Sequence, residues 1–303
     1  MVKNIKNNKV IVALAALLCC ALWGISTPIV KMGYAHIDEN HVPSLLLWVG
    51  LQFAFAGIIT VLAYSAISKK MVFPKKKNIG GVVLVSSLQT ILQYLLLYIG
   101  LSYTTAVKGA ILKSTDVFMV ALIASLIFRQ EKLTAKKLIS CIIGFAGIVI
   151  MNLNGLSLNF NLLGDGLVLL AILSYSFSVV IIRIVTGDED PIVLSGYQMA
   201  FGGVVMLILG VIFGGEMNFV GMLPVLICLS ILYAVSYVLW TVLLKYNPAS
   251  SITIYSFTTP VFGVVFSSLL LTEAGGVASL NLVVALVLVC FGIILWGYEK
   301  KKK

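Results

Sequence analysis

The amino-acid sequence predicts an all-α polytopic membrane protein with ten transmembrane helices, arranged as two inverted five-helix repeats. Its composition is the first reason: 60% of the 303 residues are hydrophobic (AVILMFWYC) and 11% are charged, whereas soluble domains carry roughly 25% charged residues. The second reason is that the apolar residues form continuous runs, and a ~30 Å bilayer core needs about 20 apolar helical residues. The third is that motifs of the first half return, in order, in the second. A water-soluble enzyme is therefore disfavoured.

The predicted spans are apolar runs separated by short polar, glycine or proline breaks. The runs do not alternate in polarity, as outer-membrane strands do. The first run has a basic flank but no small-residue cleavage pattern, so we expect a helix rather than a signal peptide. Residues 79–128 are too long for one crossing and are split near Ser102. The ten spans are 10–32, 44–67, 79–100, 103–128, 135–151, 163–184, 192–213, 221–244, 249–271 and 280–298.

The basic residues predict the orientation. With the N-terminus inside, the inside segments carry eighteen of the 21 Lys and Arg residues, and the five outside loops carry none. Such residues favour the cytoplasmic side, so we expect a multi-pass protein of the cell (cytoplasmic) membrane with both termini in the cytoplasm. The net charge of +10 is then an orientation signal and not a nucleic-acid surface. The other three basic residues, Lys31, Lys108 and Lys113, lie within or at the end of predicted helices.

An internal repeat divides the chain into two predicted domains, 1–152 and 153–303. Gln52 to Gly57 in span two matches Gln198 to Gly203 in span seven. Each half has five spans, so the second half enters the membrane from the opposite side. Inverted repeats of this kind recur in secondary transporters, with the substrate site near the midplane between the halves. The other matches are Tyr94 with Tyr237, Tyr103 with Tyr246, Pro43 with Pro191, Trp23 with Tyr175, Lys31 with Arg183, and Glu131 with Glu273.

Several short motifs, taken in order, carry a resemblance to a known family. They are Leu22-Trp23-Gly24 with Pro28 and Lys31, Gly100 to Thr104, Glu131 to Thr134 followed by Gly144 and Gly147, Asn247-Pro248-Ala249, and Thr259-Pro260-Val261. The chain resembles, over about 290 residues, a ten-span EamA-type member of the drug/metabolite transporter superfamily. The resemblance implies import or export of small metabolites or drugs. Two positions depart from the family pattern: Gln52 stands where Arg is frequent, and Asp116 where Pro is frequent.

Span four carries the charges that are most informative about function. Charged groups inside a membrane cost about 2.5–3.5 kcal/mol on insertion scales and are candidate functional groups. Lys108 can extend to the outer interface, whereas Lys113 lies near the midplane, and Asp116 follows three residues later on the same helix face. The two are expected to pair. Either they form a static ion pair, or they face a cavity, with Lys113 binding an anionic group or carrying a proton and Asp116 binding an amine or a proton.

Uncharged polar and aromatic residues of the other spans are further candidates for substrate binding. An aromatic stripe also serves helix packing, so that interpretation stays open for each of them. Pro28 and Pro260 lie inside spans and are candidate hinges, or simple bends. Gln52 and Gln198 are expected to join helices by hydrogen bonds rather than to bind substrate. The full candidate set is Trp23, Gln89, Gln93, Tyr94, Lys113, Asp116, Tyr175, Tyr237, Trp240 and Ser256.

The sequence therefore favours a secondary transporter of small organic solutes working by alternating access, with proton coupling left open. The alternative is an intramembrane enzyme or a lipid-handling protein. We expect no cofactor, because there is no phosphate-binding loop, and no metal, because the five cysteines lie in spans and His36 and His41 fit a solvated loop. The expected partners are a small-molecule substrate and the lipid bilayer, with the protein a monomer or a homodimer.

Overall fold

The computed structural model describes residues 8–153, 159–270 and 280–297. Within these ranges the regular structure is entirely helical. Glu273 and the C-terminal lysines lie outside the described residues. All ten predicted spans correspond to helices, with ends that differ from the prediction by a few residues.

The first half contains five spans, two of them interrupted. The helix α3 includes a π-helical segment at Ser87–Leu92, and α4 is broken after Lys113 and ends in a π-helical segment. The split between spans three and four is confirmed, because α3 ends before Ser102. The bounds are α1 Lys9–Gly33, α2 Val42–Ser68, α3 Ile79–Ser86 continuing through Ser87–Leu92 to Gln93–Leu101, α4 Ala106–Lys113 and Asp116–Leu122 with Ile123–Ile127, and α5 Ala135–Met151.

The second half repeats this plan, and its fourth span is also irregular in the middle. The helix α9 passes through a 3-10 segment at Ile254–Phe257 before it resumes as an α-helix. The bounds are α6 Gly164–Asp188, α7 Pro191–Ile212, α8 Phe219–Tyr246, α9 Ala249–Thr253, Ile254–Phe257 and Thr258–Leu270, and α10 Leu280–Gly297. Eight of the described helical spans are long and apolar enough to cross a membrane. The remaining two, α5 and α10, are shorter and pack against each other.

Side chains at the span entrances explain why the helices start where they do. Asn8 accepts a hydrogen bond from the amide of Val10 at the start of α1, and Thr134 does the same for Lys137 at the start of α5. Asp190 caps α7, whose first residue is Pro191. These side chains satisfy amides that have no partner inside the helix, so the polar breaks in the sequence set the ends of the spans.

Helix packing shows the inverted repeat directly. The helix α2 packs on its repeat mate α7, and α5 packs on its repeat mate α10. The helix α1 packs on α8 and α9, and its mate α6 packs on α3 and α4. If each helix is replaced by its repeat mate, the packing of α1 on α8 and α9 becomes the packing of α6 on α3 and α4. The α2–α7 and α5–α10 pairings are unchanged by the same exchange. The ten helices are therefore related by a pseudo-two-fold axis, as the sequence predicts.

Glycines at the α2–α7 crossing confirm the residue register of the repeat. A Cβ on Gly57 would lie 2.3 Å from the amide nitrogen of Ala200, and a Cβ on Gly203 would lie 2.2 Å from that of Ala54. Gly57 and Gly203 are repeat mates in the sequence alignment, as are Ala54 and Ala200. The backbones thus cross so closely that only glycine fits, as in small-residue helix contacts of membrane proteins.

Loop contacts divide the loops into two faces, with alternate loops on each. Glu189 accepts hydrogen bonds from the Lys75 amide and the Asn78 side chain, and its carbonyl accepts one from Lys245. We call the side that these three loops share the basic face. On the other side, the opposite face, the amide of Glu216 donates to Ser44. This alternation is the one that ten crossings require.

Candidate functional site

The two broken spans, α4 and α9, meet each other in the interior of the bundle. The helix α4 is interrupted at Ser114 and Thr115, and α9 resumes at Thr258 after its 3-10 segment. Asp116 begins the second part of α4, and its repeat mate Pro260 lies just after the corresponding point in α9. Pro28, by contrast, lies inside an uninterrupted α1. Non-helical backbone at membrane depth is tolerated where it is buried in protein or lines a cavity.

Asp116 is held by α9 and not by Lys113. Its side chain is 6% exposed, and the Ser256 hydroxyl lies 3.2 and 3.4 Å from its two carboxylate oxygens. Among the described ion pairs, none joins Lys113 to Asp116, so the expected pairing is corrected. The physical reason is the break at Ser114 and Thr115, because residues three apart share a face only on a continuous helix.

Lys113 lies at the end of the first part of α4, about 12 Å along the helix from its cap at Thr105 at 1.5 Å per residue. Its side chain is exposed although it is surrounded by protein and close enough to Asp116 for their charges to interact. The ammonium group of Lys113 is therefore accessible close to the α4–α9 crossing.

Aromatic rings from four helices form the second part of the site. Trp23 of α1 lies with its ring centroid 4.8 Å from Trp240 and 5.7 Å from Tyr237, both of α8. Phe53 of α2 lies 5.0 Å from Tyr94 of α3 and 5.4 Å from Tyr237. Most of these rings meet edge to face, the arrangement that the ring quadrupoles favour. We call these five residues, with Tyr98 and Tyr233, the aromatic cluster.

The repeat mates Tyr94 and Tyr237 meet at the centre of the aromatic cluster. Their hydroxyl oxygens are 3.1 Å apart, within hydrogen-bonding distance. Because the two residues are equivalent under the exchange of the halves, their contact lies on the pseudo-two-fold axis. The aromatic cluster therefore lies between the halves.

Four of the sequence-predicted residues carry buried polar atoms without a hydrogen-bond partner. They are the indole nitrogens of Trp23 and Trp240 and the side-chain oxygens of Gln89 and Gln93. Buried polar atoms are nearly always paired with protein or with ordered water. Two donors and two acceptors are thus available to a bound solute or to water.

Tyr175 links the two parts of the site. It belongs to α6 and lies within electrostatic range of Asp116, of Cys20 on α1 and of Tyr94. The structure thus brings Trp23, Tyr94, Tyr237 and Trp240 into one cluster, and Asp116 and Ser256 into one contact. The predicted set of substrate-binding residues lacks three members of the cluster, Phe53, Tyr98 and Tyr233. Two signals were available: Phe53 follows Gln52 within the repeated motif, and Tyr98 lies four residues after Tyr94, on the same helix face.

A buried acidic residue at each face joins helices around the site. At the basic face Glu131, 3% exposed, accepts hydrogen bonds from the Ser250 amide (3.2 Å) and hydroxyl and pairs with Lys137 (3.4 Å) and Arg183 (3.7 Å). These contacts tie the end of α4 to the starts of α5 and α9 and the end of α6. The ends of these four helices are therefore joined to one another at the basic face.

At the opposite face Asp165 of α6 holds the start of α4. It accepts from Lys108 at 2.5 Å, from the Thr104 hydroxyl at 2.5 Å and from the Asn161 amide at 2.8 Å. Lys108 also donates to the carbonyl of Asn159. Lys108, which the sequence predicts to extend toward the outer interface, thus contacts residues of the opposite face, and its acidic partner Asp165 is one that the sequence did not indicate. Likewise, Gln198 accepts from Thr90 of α3 at 2.9 Å, which confirms it as a residue that joins helices.

Comparisons with known proteins agree with the sequence motifs. The EamA-like transporter family matches residues 10–153 and again residues 162–298. An uncharacterized transporter of Bacillus subtilis, YvbV, is 26% identical and its match covers 99% of this chain and 95% of the relative. A transporter encoded in the sor 3′ region of Acidianus ambivalens is 27% identical over 84% of this chain and 95% of its own length.

Two further similarities are more limited. One covers only part of a plant protein, and the other concerns the fold alone. A WAT1-related chloroplastic protein of Arabidopsis thaliana is 29% identical over 62% of this chain and 48% of its own length. A solved crystal structure with a TM-score of 0.74 and 13% identity covers 94% of this chain and 96% of that chain, which shows a shared fold. Since the family matches both halves of the described helical bundle, the chain belongs to the EamA-like transporter family, as a membrane transporter of ten helices in two inverted repeats.

Proposed function

We propose that this protein is a secondary active transporter that moves small organic solutes across the cytoplasmic membrane by alternating access. The observation that carries the proposal is the meeting of the two broken spans, where Lys113 is exposed and Asp116 is buried. Charged groups at that depth are costly and mark pathways for solutes or ions. Repeat-related helices that are discontinuous near the midplane are a recurring form of transporter binding site.

The two parts of the site suggest the chemistry of the solute. Lys113 offers an ammonium group to a carboxylate or a similar anion. The aromatic cluster offers flat apolar surfaces, with the Trp23 and Trp240 indole nitrogens as unused donors. A solute with an anionic group at one end and an aromatic or apolar body at the other would satisfy both parts. Tyr175, Gln89 and Gln93 would line the space between them.

The hydrogen bonding of Ser256 supports coupling to protons at Asp116. Ser256 has one hydroxyl hydrogen, and its oxygen lies 2.5 Å from the carbonyl of Thr253 but 3.2 Å from the nearer Asp116 oxygen. The shorter contact directs the hydrogen to Thr253. The lone pairs of Ser256 then face Asp116, an arrangement in which a protonated carboxyl group donates and an ionised one does not. Asp116 would thus be protonated in this conformation and would release its proton in another.

Transport assays in proteoliposomes test the proposal. A thermal-shift screen of the purified protein against carboxylates, amines, sugars, nucleosides and drugs selects the solute, and its labelled form is then followed into vesicles. Lys113→Met is expected to abolish uptake of an anionic solute. Lys132→Gln, which removes an exposed lysine at the basic face, is the matched control and should transport as the wild type does.

Proton coupling has its own readout. Asp116→Asn is expected to lose uptake driven by an imposed pH gradient while it retains exchange of labelled for unlabelled solute, because exchange needs no net proton movement. If Lys113→Met and Asp116→Asn both leave transport and its pH dependence unchanged, the proposed site is wrong. If the wild type moves no solute but transfers lipid between leaflets, the result supports the alternative that the protein handles lipids.

The proposal also includes the orientation of the protein in the membrane and two hinges within its helices. Both termini are proposed to lie in the cytoplasm, because the inside segments carry the positive residues, and reporter fusions at each end test this orientation. Pro260 lies beside the irregular turn of α9 and is proposed as a hinge. Pro28 removes a backbone hydrogen bond in the last third of α1 and is proposed as a second hinge.

A further inference from the structure

Two apolar grooves lie side by side on the lipid-facing surface of the bundle, near the basic face. The first, of about 390 Å³, is lined by Phe73, Pro74, Lys76, Val83, Tyr197 and Phe201 among others. The second, of about 210 Å³, is lined by Ile58, Val61, Leu62, Tyr197 and Ala200. Tyr197 lines both grooves and separates them. Its hydroxyl donates to the carbonyl of Val72 at 2.9 Å, which fixes the ridge to the loop that follows α2.

The depth of the grooves matches one leaflet of the bilayer. Tyr197 lies six residues from the start of α7 at Pro191, or about 9 Å along the helix. Ile58 lies ten residues from the end of α2 at Ser68, or about 15 Å along the helix. A hydrocarbon core is ~30 Å thick, so the grooves extend from the basic face to about the midplane. They have the length of the acyl chains of one leaflet.

The end of the first groove at the basic face carries Lys76, which has no ion-pair partner among the described residues. Lys76 lines the groove and makes no ion pair with the residues that the structure describes. Its neighbours are engaged: Lys77 pairs with Asp188 at 2.9 Å, and Lys75 donates to the Asp188 carbonyl. The loop from Lys69 to Lys77 contains five lysines. The mouth of the groove is therefore positively charged where phospholipid headgroups lie.

We propose that this surface is a binding site for one anionic phospholipid of the leaflet at the basic face. The two grooves hold the two acyl chains on either side of Tyr197, and Lys76 binds the negatively charged headgroup. Basic pockets between transmembrane helices on the cytoplasmic side are known to bind anionic headgroups. The site is separate from the proposed solute site and does not depend on it.

Native mass spectrometry of the protein released from vesicles of mixed phosphatidylglycerol and phosphatidylcholine tests the site. The wild type is expected to retain one phosphatidylglycerol in preference to phosphatidylcholine. Lys76→Gln is expected to reduce this preference about fivefold, the equivalent of about 1 kcal/mol for one lysine at the membrane surface. Lys132→Gln removes an exposed lysine elsewhere on the basic face and should retain the preference.

A second variant tests the acyl chains independently of charge. Val83 is 38% exposed and lines the first groove, so Val83→Trp fills the groove from the lipid side without entering the core. It is expected to lose retention of both lipids. Equal losses in Lys76→Gln and Lys132→Gln would show a general surface charge and overturn the proposal. Displacement of the bound phosphatidylglycerol by excess inorganic phosphate alone would also overturn the proposal. A dimer that Val83→Trp dissociates would do the same, because a second copy of the protein would then occupy the grooves.

Discussion

The two crossings of repeat-mate helices, α2 with α7 and α4 with α9, lie between the same two halves but differ in construction. At the first, Gly57 and Gly203 let the backbones approach until a Cβ would lie 2.3 and 2.2 Å from the facing amide nitrogens. At the second, both helices are interrupted, and the contact is made by a carboxylate and a hydroxyl, Asp116 and Ser256.

The difference indicates that the two crossings have different roles. We call the α2–α7 crossing, which holds the halves together, the frame, and the α4–α9 crossing, where a pathway is proposed to open, the working part. The α2–α7 crossing consists of regular helices whose small residues fit in one register, so it resists relative motion. The α4–α9 crossing also packs buried apolar side chains, such as Val117 and Phe257, but its helices are interrupted and its polar groups have alternative partners. We therefore expect its helices to separate at a smaller cost. Alternating access requires both properties, because the halves must stay together while a pathway opens between them.

Gly57→Ala tests the frame and has the largest expected effect on stability. The added Cβ would lie 2.3 Å from the backbone of Ala200, which cannot move aside as a flexible side chain can. We expect a loss of about 3 kcal/mol in unfolding free energy, the upper end of overpacking effects, and a lower melting temperature in detergent. Gly80→Ala is the control: a Cβ there meets nothing within 4 Å. A variant Gly57→Ala as stable as Gly80→Ala would show that the crossing can separate.

Glu131→Gln tests the working part and is expected to open it. The variant weakens charge-assisted hydrogen bonds, each worth about 1.5–3 kcal/mol, between the end of α4 and the start of α9. We expect the basic face to open, exposing Cys20, whose thiol lies 3.2 Å from the Tyr255 carbonyl of α9. In a chain that keeps Cys20 as its single cysteine, labelling by a water-soluble maleimide should rise roughly tenfold, as about 1.4 kcal/mol implies.

The control for this labelling experiment is a substitution of the same kind at the other side of the membrane. Glu216→Gln removes an exposed carboxylate at the opposite face and should leave the labelling of Cys20 unchanged. If Glu131→Gln instead lowers the melting temperature as much as Gly57→Ala does, Glu131 belongs to the frame and the comparison fails.

Asp116→Asn is not expected to lower the unfolding free energy as Gly57→Ala does, and a change in the opposite direction is expected if there is any. A buried carboxyl group that has no direct ion pair among the described residues lowers the stability of its fold, and groups kept for function commonly lower stability. The amide should therefore leave the unfolding free energy unchanged or raise it by about 1 kcal/mol, while transport driven by a pH gradient is lost. Thermal unfolding of the two variants side by side measures the signs. A clear loss of stability in Asp116→Asn would indicate a structural role for the Asp116–Ser256 contact.

The same comparison shows what the sequence can and cannot predict. The frame was predictable. Continuous apolar runs define its two helices, and the repeat aligns Gly57 with Gly203 and Ala54 with Ala200. A pseudo-two-fold axis then allows each glycine to face an alanine of the other helix. The break at Ser114 and Thr115 was not predictable, since polar residues inside a span do not by themselves end a helix and neither proline nor glycine marks the break. The expected pairing of Lys113 with Asp116 assumed a continuous helix and was wrong for that reason.

Contacts between distant segments were equally beyond the sequence. Glu131 binds Ser250, 119 residues later, and no periodicity links the two positions. Lys108 meets Asp165 across 57 residues. The motif order did predict which residues are repeat mates, and hence that Tyr94 and Tyr237 occupy equivalent places. That they touch follows only from how the halves dock.

The contact of Tyr94 with Tyr237 gives the smallest expected effect and the sharpest test of where frame and working part meet. A hydrogen bond between neutral groups contributes about 1 kcal/mol, so Tyr94→Phe and Tyr237→Phe should each lower the unfolding free energy by about that amount. The double variant should cost little more than either single one, because both remove the same bond. If the contact belongs to the frame, the coupling energy persists when a bound solute holds the protein in one conformation. If it breaks during transport, the coupling differs between the solute-free and solute-bound protein, and thermal unfolding with and without the solute distinguishes these outcomes.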